Sequence, residues 1–123
     1  MLRTGVDLVE VARIEQSIAR YGDRFLARVF TPAELAYAAG RASSLAARFA
    51  AKEAVSKLLA VGIQHPDGVD WREIEILSGE RGDPVLKLYG RAAARAEALG
   101  FKEISVSLSH TREHAIAFVV GIG

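Results

Sequence analysis

Hydrophobic and polar positions change period several times along the chain, and each change marks an element. Residues 2–9, with Leu2, Val6, Leu8 and Val9 as their apolar positions, predict a strand that enters an acidic edge at Asp7 and Glu10. From Val11 the period lengthens. Val11, Ile14, Ile18, Tyr21 and Phe25 recur at spacings of three and four, one apolar face of a helix. Gly22 ends or bends that helix, so Phe25 can belong to a second short one. Thr31-Pro32-Ala33-Glu34 has the order of a capping box with proline at the first helical position, which predicts a helix to about Ala39. Ser44 can cap a longer helix that ends at Gly62. Between Leu45 and Val61 the only charged residues are Arg48, Lys52, Glu53 and Lys57, and Ser56 is the only other polar one. A helix this apolar is expected to be largely buried.

The second half reads mainly as strands. Asp70 to Leu77 alternates, with Ile74 and Ile76 on one face and Glu73 and Glu75 on the other. Gly79 to Pro84 turns the chain into a second strand, Val85 to Leu88. Arg91 to Leu99 is an alanine-rich helix stopped by Gly100. Ile104, Val106 and Leu108 alternate, Ser109 to His114 turns, and Ala115 to Ile122 returns as a buried strand. Helices and strands are interspersed without a regular βαβ repeat, so the fold class is α+β. No linker, repeat or low-complexity stretch divides the sequence, and residues 1–123 read as a single domain.

Composition narrows the function. The chain has 123 residues, enough for one closed core, and is half hydrophobic and one quarter charged. A formal net charge of +1 argues against bulk nucleic-acid binding. With no cysteine, disulfides and thiolate chemistry are excluded. Asp7 falls where a secretory leader needs an apolar core, and the longest clean apolar run, Ala115 to Ile122, is far short of a bilayer span. The expectation is a soluble cytoplasmic protein with no membrane partner.

Three segments carry candidate chemistry. In Gly5-Val-Asp7-Leu-Val-Glu10-Val-Ala-Arg13-Ile, an acid at a strand edge can hold a hard cation, or can simply cap the next helix. In Arg48-Phe-Ala-Ala-Lys52-Glu53-Ala-Val-Ser-Lys57, Glu53 and Lys57 lie four apart, acid before base, the favoured orientation of a helical ion pair. A carboxylate and an ammonium set among alanines suggest a lined site instead of a wet face. Mg²⁺ is held by one or two carboxylates plus waters and substrate phosphates, which Asp7 and Glu53 could supply, while Lys57 offers a point charge to a phosphate. In Ser107-Leu-Ser109-His110-Thr111, hydroxyls and an imidazole at a strand end can grip a phosphate, or serve ordinary turn chemistry. His65 and His114 are assigned no role.

In this order and in a chain of this length, the three segments resemble the three motifs of the short class of 4′-phosphopantetheinyl transferases, the holo-acyl-carrier-protein synthases. Gly82-Asp-Pro84 also sits where that family has a Gly-x-Pro hairpin. The resemblance covers essentially the whole chain, and the second motif is highly specific. It implies transfer of the 4′-phosphopantetheine arm of coenzyme A to a serine of an apo acyl-carrier protein, with release of adenosine 3′,5′-bisphosphate. Asp7 and Glu53 would be the protein ligands of Mg²⁺. Glu53 would help deprotonate the serine, directly or through a water, and Lys57 would neutralise the diphosphate or protonate the leaving group. His110, with Ser109 or Thr111, would hold the 3′-phosphate end of the nucleotide, and Arg48 is a further phosphate candidate. The longer, surfactin-synthetase type places a third metal-binding carboxylate two residues after the first; here that position is Val9.

The resemblance also implies a homotrimer with each site between two subunits. Arg13, Ser17, Arg20 and, if the helix continues past Gly22, Arg24 form one basic stripe suited to an acidic carrier protein. Two competing readings are a small thioesterase acting on coenzyme A esters, which would need no divalent metal, and a catalytically silent carrier-binding module, which Asp7, Glu53 and Lys57 together argue against. A Rossmann domain is disfavoured because no Gly-x-Gly-x-x-Gly follows a strand.

Overall fold

The computed structural model describes all 123 residues. Strand β1 (Leu2–Glu10) leads into helices α1 (Val11–Tyr21), α2 (Asp23–Val29), α3 (Pro32–Ala38) and the long α4 (Ala42–Leu59). A hairpin of β2 (Ile74–Ser78) and β3 (Pro84–Leu88), helix α5 (Gly90–Leu99), and a second hairpin of β4 (Glu103–His110) and β5 (His114–Ile122) complete the α+β chain. β1, β5 and β4 form one antiparallel sheet in that order, and β2–β3 form a separate two-stranded ribbon.

Helix α4 is the centre of the molecule. Ala46, Ala47, Ala50, Ala51 and Ala54 are all buried, and their small size lets the surrounding elements press close. Closest of all is β1. A Cβ on Gly5 would overlap the Ala54 carbonyl oxygen and lie 3.0 Å from Val119 Cγ2, so the strand backbone rests directly on the helix. Gly22, at φ 58°, ends α1 and starts α2, so the apolar face from Val11 to Phe25 is split over two helices and Arg24 stands on the second.

A buried polar cluster pins the other side of α4. Thr31 and Glu34 form the predicted capping box. Glu34, wholly buried, also receives the Lys52 ammonium at 2.8 Å and the Ile76 amide at 2.9 Å. The remaining Lys52 donors go to the Trp71 and Ile74 carbonyls, so one ammonium ties α3, α4 and the start of β2 together. Burial holds the Lys52 pKa below its usual value, against the opposing pull of Glu34.

Several expected boundaries move. α4 begins at Ala42, two residues before Ser44, and stops at Leu59, where Ala60 takes the left-handed conformation ahead of Gly62. Asp70 does not open a strand. Its side chain accepts from the Arg72 amide and its own amide donates to Glu73, capping a 3₁₀ turn at Trp71–Glu73. Glu75, placed by alternation on an outer face, is buried, because the Thr31 and Tyr89 hydroxyls both donate to its carboxylate. The final hairpin is tighter than expected: β4 reaches His110, and β5 starts at His114.

β5 is buried on one face only. Ala115, Ala117 and Val119 turn toward α4, while on the reverse face the cross-strand pairs Leu2–Ile122, Val6–Phe118 and Leu8–Ile116 are 40–69 % exposed. No helix is long and apolar enough to cross a membrane.

Candidate active site

The second motif divides around its helix. At about 100° per residue, Arg48 and Lys57, nine positions apart, project to opposite sides of α4. Glu53 and Lys57, one turn apart, share the side that meets β1. There the Lys57 ammonium donates to the Val6 carbonyl at 2.9 Å and to Asp7 Oδ1 at 3.0 Å. The contact of Gly5 with Ala54 sets this approach, since Asp7 lies two residues after one and Glu53 directly before the other. Burial pushes the Glu53 carboxyl pKa up, and the negative charge of Asp7 adds to that, against the opposing charges of Lys57 and Arg13. Asp7, Glu53, Lys57 and Arg13 therefore form one electrostatic group.

Asp7 and Glu53 are a hard-oxygen pair suited to an oxygen-preferring divalent ion that takes its other ligands from water and substrate. No cluster of three or more metal-ligating side chains occurs. Val9 is buried against α4 and supplies no ligand.

Arg48 and His110 meet on the other side of α4, at a cavity of about 200 Å³ whose lining includes Tyr37, Arg41, Ser44 and Ser78. Arg48 is buried, and its guanidinium donates to the Ile76 carbonyl at 3.2 Å, Ser44 Oγ at 3.0 Å and Ser78 Oγ at 2.9 Å. His110 is exposed at the end of β4. The structure does not bring Ser109 to it, because consecutive strand residues point to opposite sheet faces. The Thr111 hydroxyl accepts from the His114 amide at 3.1 Å and the Glu113 amide at 3.3 Å, the ordinary turn role.

A third feature lies between α1, α2 and Trp71. A groove of about 610 Å³ is floored by Phe25, Phe49 and Trp71, the last two stacked at 4.8 Å between centroids. Arg13, Ser17 and Arg24 line it, and Arg28 joins them. Arg20 does not; its guanidinium lies over the Tyr21 ring at 5.3 Å. The stripe thus survives the break at Gly22, with Arg28 in place of Arg20.

Sequence reasoning missed Gly5, Tyr37, Arg41 and Arg28. A glycine inside a strand pattern is the one local signal for Gly5, since it often marks a close backbone approach. Tyr37 and Arg41 are four apart, but nothing in their spacing points to Arg48.

The model of the 4′-phosphopantetheinyl transferase superfamily matches residues 3–119. The chain belongs to that superfamily, and within it to the holo-acyl-carrier-protein synthases. The holo-acyl-carrier-protein synthase of Herpetosiphon aurantiacus is 53 % identical over 127 residues, covering 100 % of both chains. That of Dehalococcoides mccartyi is 55 % identical over 120 residues, covering 98 % of each. Among solved structures, Helicobacter pylori holo-acyl-carrier-protein synthase in complex with coenzyme A superposes with a TM-score of 0.86 at 34 % identity, covering 97 % of this chain and 99 % of that one. The α+β class expected from the sequence is the fold of these transferases.

Proposed function

We propose that this transferase moves the 4′-phosphopantetheine arm of coenzyme A onto a serine hydroxyl of an apo acyl-carrier protein, using Mg²⁺ held by Asp7 and Glu53. The observation that carries the reading is the convergence of Asp7, Glu53 and Lys57 on one side of α4. In the reaction the serine oxygen bonds to the β-phosphorus of coenzyme A, the bond from that phosphorus to the bridging oxygen breaks, and adenosine 3′,5′-bisphosphate leaves. When bound, the metal supplies neutralisation of charge on the diphosphate oxygens. Glu53 takes the serine proton, directly or through a water. Lys57, exposed over much of its side chain, turns from Asp7 to the departing phosphate and stabilises its charge.

The cavity of Arg48 and His110 suits the 3′-phosphate end of the nucleotide, with both side chains as donors. It lies across α4 from Lys57, and His110 stands two strands from β1, on the order of 10 Å. The reading assigns a single coenzyme A to two subunits, as the resemblance to the trimeric class implies: Asp7, Glu53 and Lys57 of one, and Arg48 and His110 of its neighbour. The exposed apolar pairs on the sheet supply an interface for the homotrimer this requires. The groove rimmed by Arg13, Arg24 and Arg28 receives the acidic carrier protein, whose apolar side chains meet Phe49 and Trp71.

The test is a mass measurement. Incubation with coenzyme A, Mg²⁺ and an apo carrier protein adds the mass of one phosphopantetheine, and excess EDTA abolishes the addition. Full activity in EDTA, or release of free thiol without carrier modification, refutes the reading. Two inactive variants, Asp7→Ala and His110→Ala, when co-refolded in equal amounts should recover about a quarter of wild-type activity, because each site draws one contribution from each of two chains.

A further inference from the structure

Beside His110, two guanidiniums share one aromatic ring. Arg48 lies 4.5 Å and Arg41 5.3 Å from the centroid of Tyr37. Neither side chain is loose. Arg41 donates from Nε to the Ala38 carbonyl at 2.9 Å and from a terminal nitrogen to the Tyr37 carbonyl at 2.8 Å, which fastens it to the end of α3. The three bonds of Arg48 leave two of its five N–H groups unspent at the cavity wall. No carboxylate lines the cavity. Burial lowers the Arg48 pKa and Arg41 adds a smaller push the same way, against the opposing pull of Glu34 behind the cavity wall. Two cations are thus held close together around a small polar cavity, with an aromatic face attracting both. Their mutual repulsion is relieved by an anion, and paired guanidiniums match a phosphate's oxygens better than an ammonium would.

We infer that Tyr37 is a positioning residue whose ring holds Arg41 and Arg48 at one wall of the cavity, so that together they receive a phosphomonoester dianion and select coenzyme A with its 3′-phosphate over coenzyme A without it. The inference rests on the proposed reading of this cavity as the 3′-phosphate subsite. Nothing in it requires Tyr37 to touch the reacting atoms. The ring acts through the two guanidiniums.

Steady-state kinetics with coenzyme A and with 3′-dephospho-coenzyme A test the assignment in the wild type, Tyr37→Leu and Tyr37→Phe. The wild type should show the lower KM for coenzyme A. Tyr37→Leu should raise that KM about tenfold, leave kcat unchanged, and leave the KM for the dephospho form where it was, because only the charge-pair contact is lost. Tyr37→Phe keeps the aromatic face and should restore the wild-type ratio. If the wild type does not distinguish the two substrates, the subsite reading fails and takes the inference with it. If the wild type distinguishes them and Tyr37→Leu does so equally well, the subsite stands and the role of Tyr37 is wrong. Equal losses for both substrates, or a Tyr37→Phe that behaves like Tyr37→Leu, also overturn it, since the first signals a purely structural side chain and the second a role for the hydroxyl.

Discussion

Replacing Gly5 with alanine should damage the active site more than the fold. The added Cβ falls about 1 Å inside an ordinary contact with the Ala54 carbonyl oxygen, and Val119 Cγ2 at 3.0 Å blocks retreat toward the sheet. The obstacle is helix backbone, so it cannot rotate away like the tip of a long side chain. β1 and α4 must therefore separate by on the order of an ångström, which by itself destabilises the fold by about 1–3 kcal/mol. The same separation acts on the reacting groups, because Asp7 follows Gly5 by two residues while Glu53 and Lys57 ride on α4. A displacement of that size costs roughly a hundredfold in rate. The assay pairs urea denaturation with kcat measured at a temperature where the variant is fully folded. Gly100→Ala serves as the control: its left-handed backbone, at φ 84°, makes alanine cost about 1 kcal/mol, but it ends α5 and touches neither Asp7 nor Glu53. Gly5→Ala should lose about a hundredfold in kcat while Gly100→Ala keeps wild-type turnover. If the two variants lose stability alike and both turn over normally, the close approach does not set the site and the reasoning fails.

Lys52→Met should destabilise the protein by about 3–5 kcal/mol by stranding the buried Glu34 carboxylate, and the double variant Lys52→Met/Glu34→Leu should lose less than the sum of its singles in a denaturation cycle. For metal-free protein, burial and then Asp7 raise the Glu53 pKa in the folded state, so folding takes up a proton between the ordinary carboxylate value and the raised one, and stability falls as pH rises through that window. Glu53→Gln should therefore match the wild type below about pH 4 and melt higher than it at about pH 8; an equal or lower melting temperature at the higher pH contradicts the assigned shift. Arg24→Glu with Arg28→Glu should raise KM for the carrier protein and flatten its salt dependence while leaving KM for coenzyme A unchanged, whereas Arg20→Glu should do little, because Arg20 lies outside the groove.

Local pattern alone determined much of this protein. The capping box at Thr31–Glu34, the split of the first apolar face at Gly22, the alternation of β4 and the apolar run of α4 are short-range signals, and the structure contains each as an element. Asp7, Glu53, Lys57 and His110 were singled out as candidates by the resemblance of their segments to the family's motifs. Spacing could not say which motif residues face the same way. Glu53 and Lys57 joined Asp7, whereas Arg48 crossed to His110, because helix phase counts only once the neighbours on each side of α4 are known. Lys52, given no role by the motif, proved to be an internal tie, since its partner Glu34 lies 18 residues away. Glu75 likewise turned inward to hydroxyls far along the chain, against its alternation. What tertiary structure decided was burial and partnership. Both depend on contacts between residues distant in sequence, and no local period encodes those.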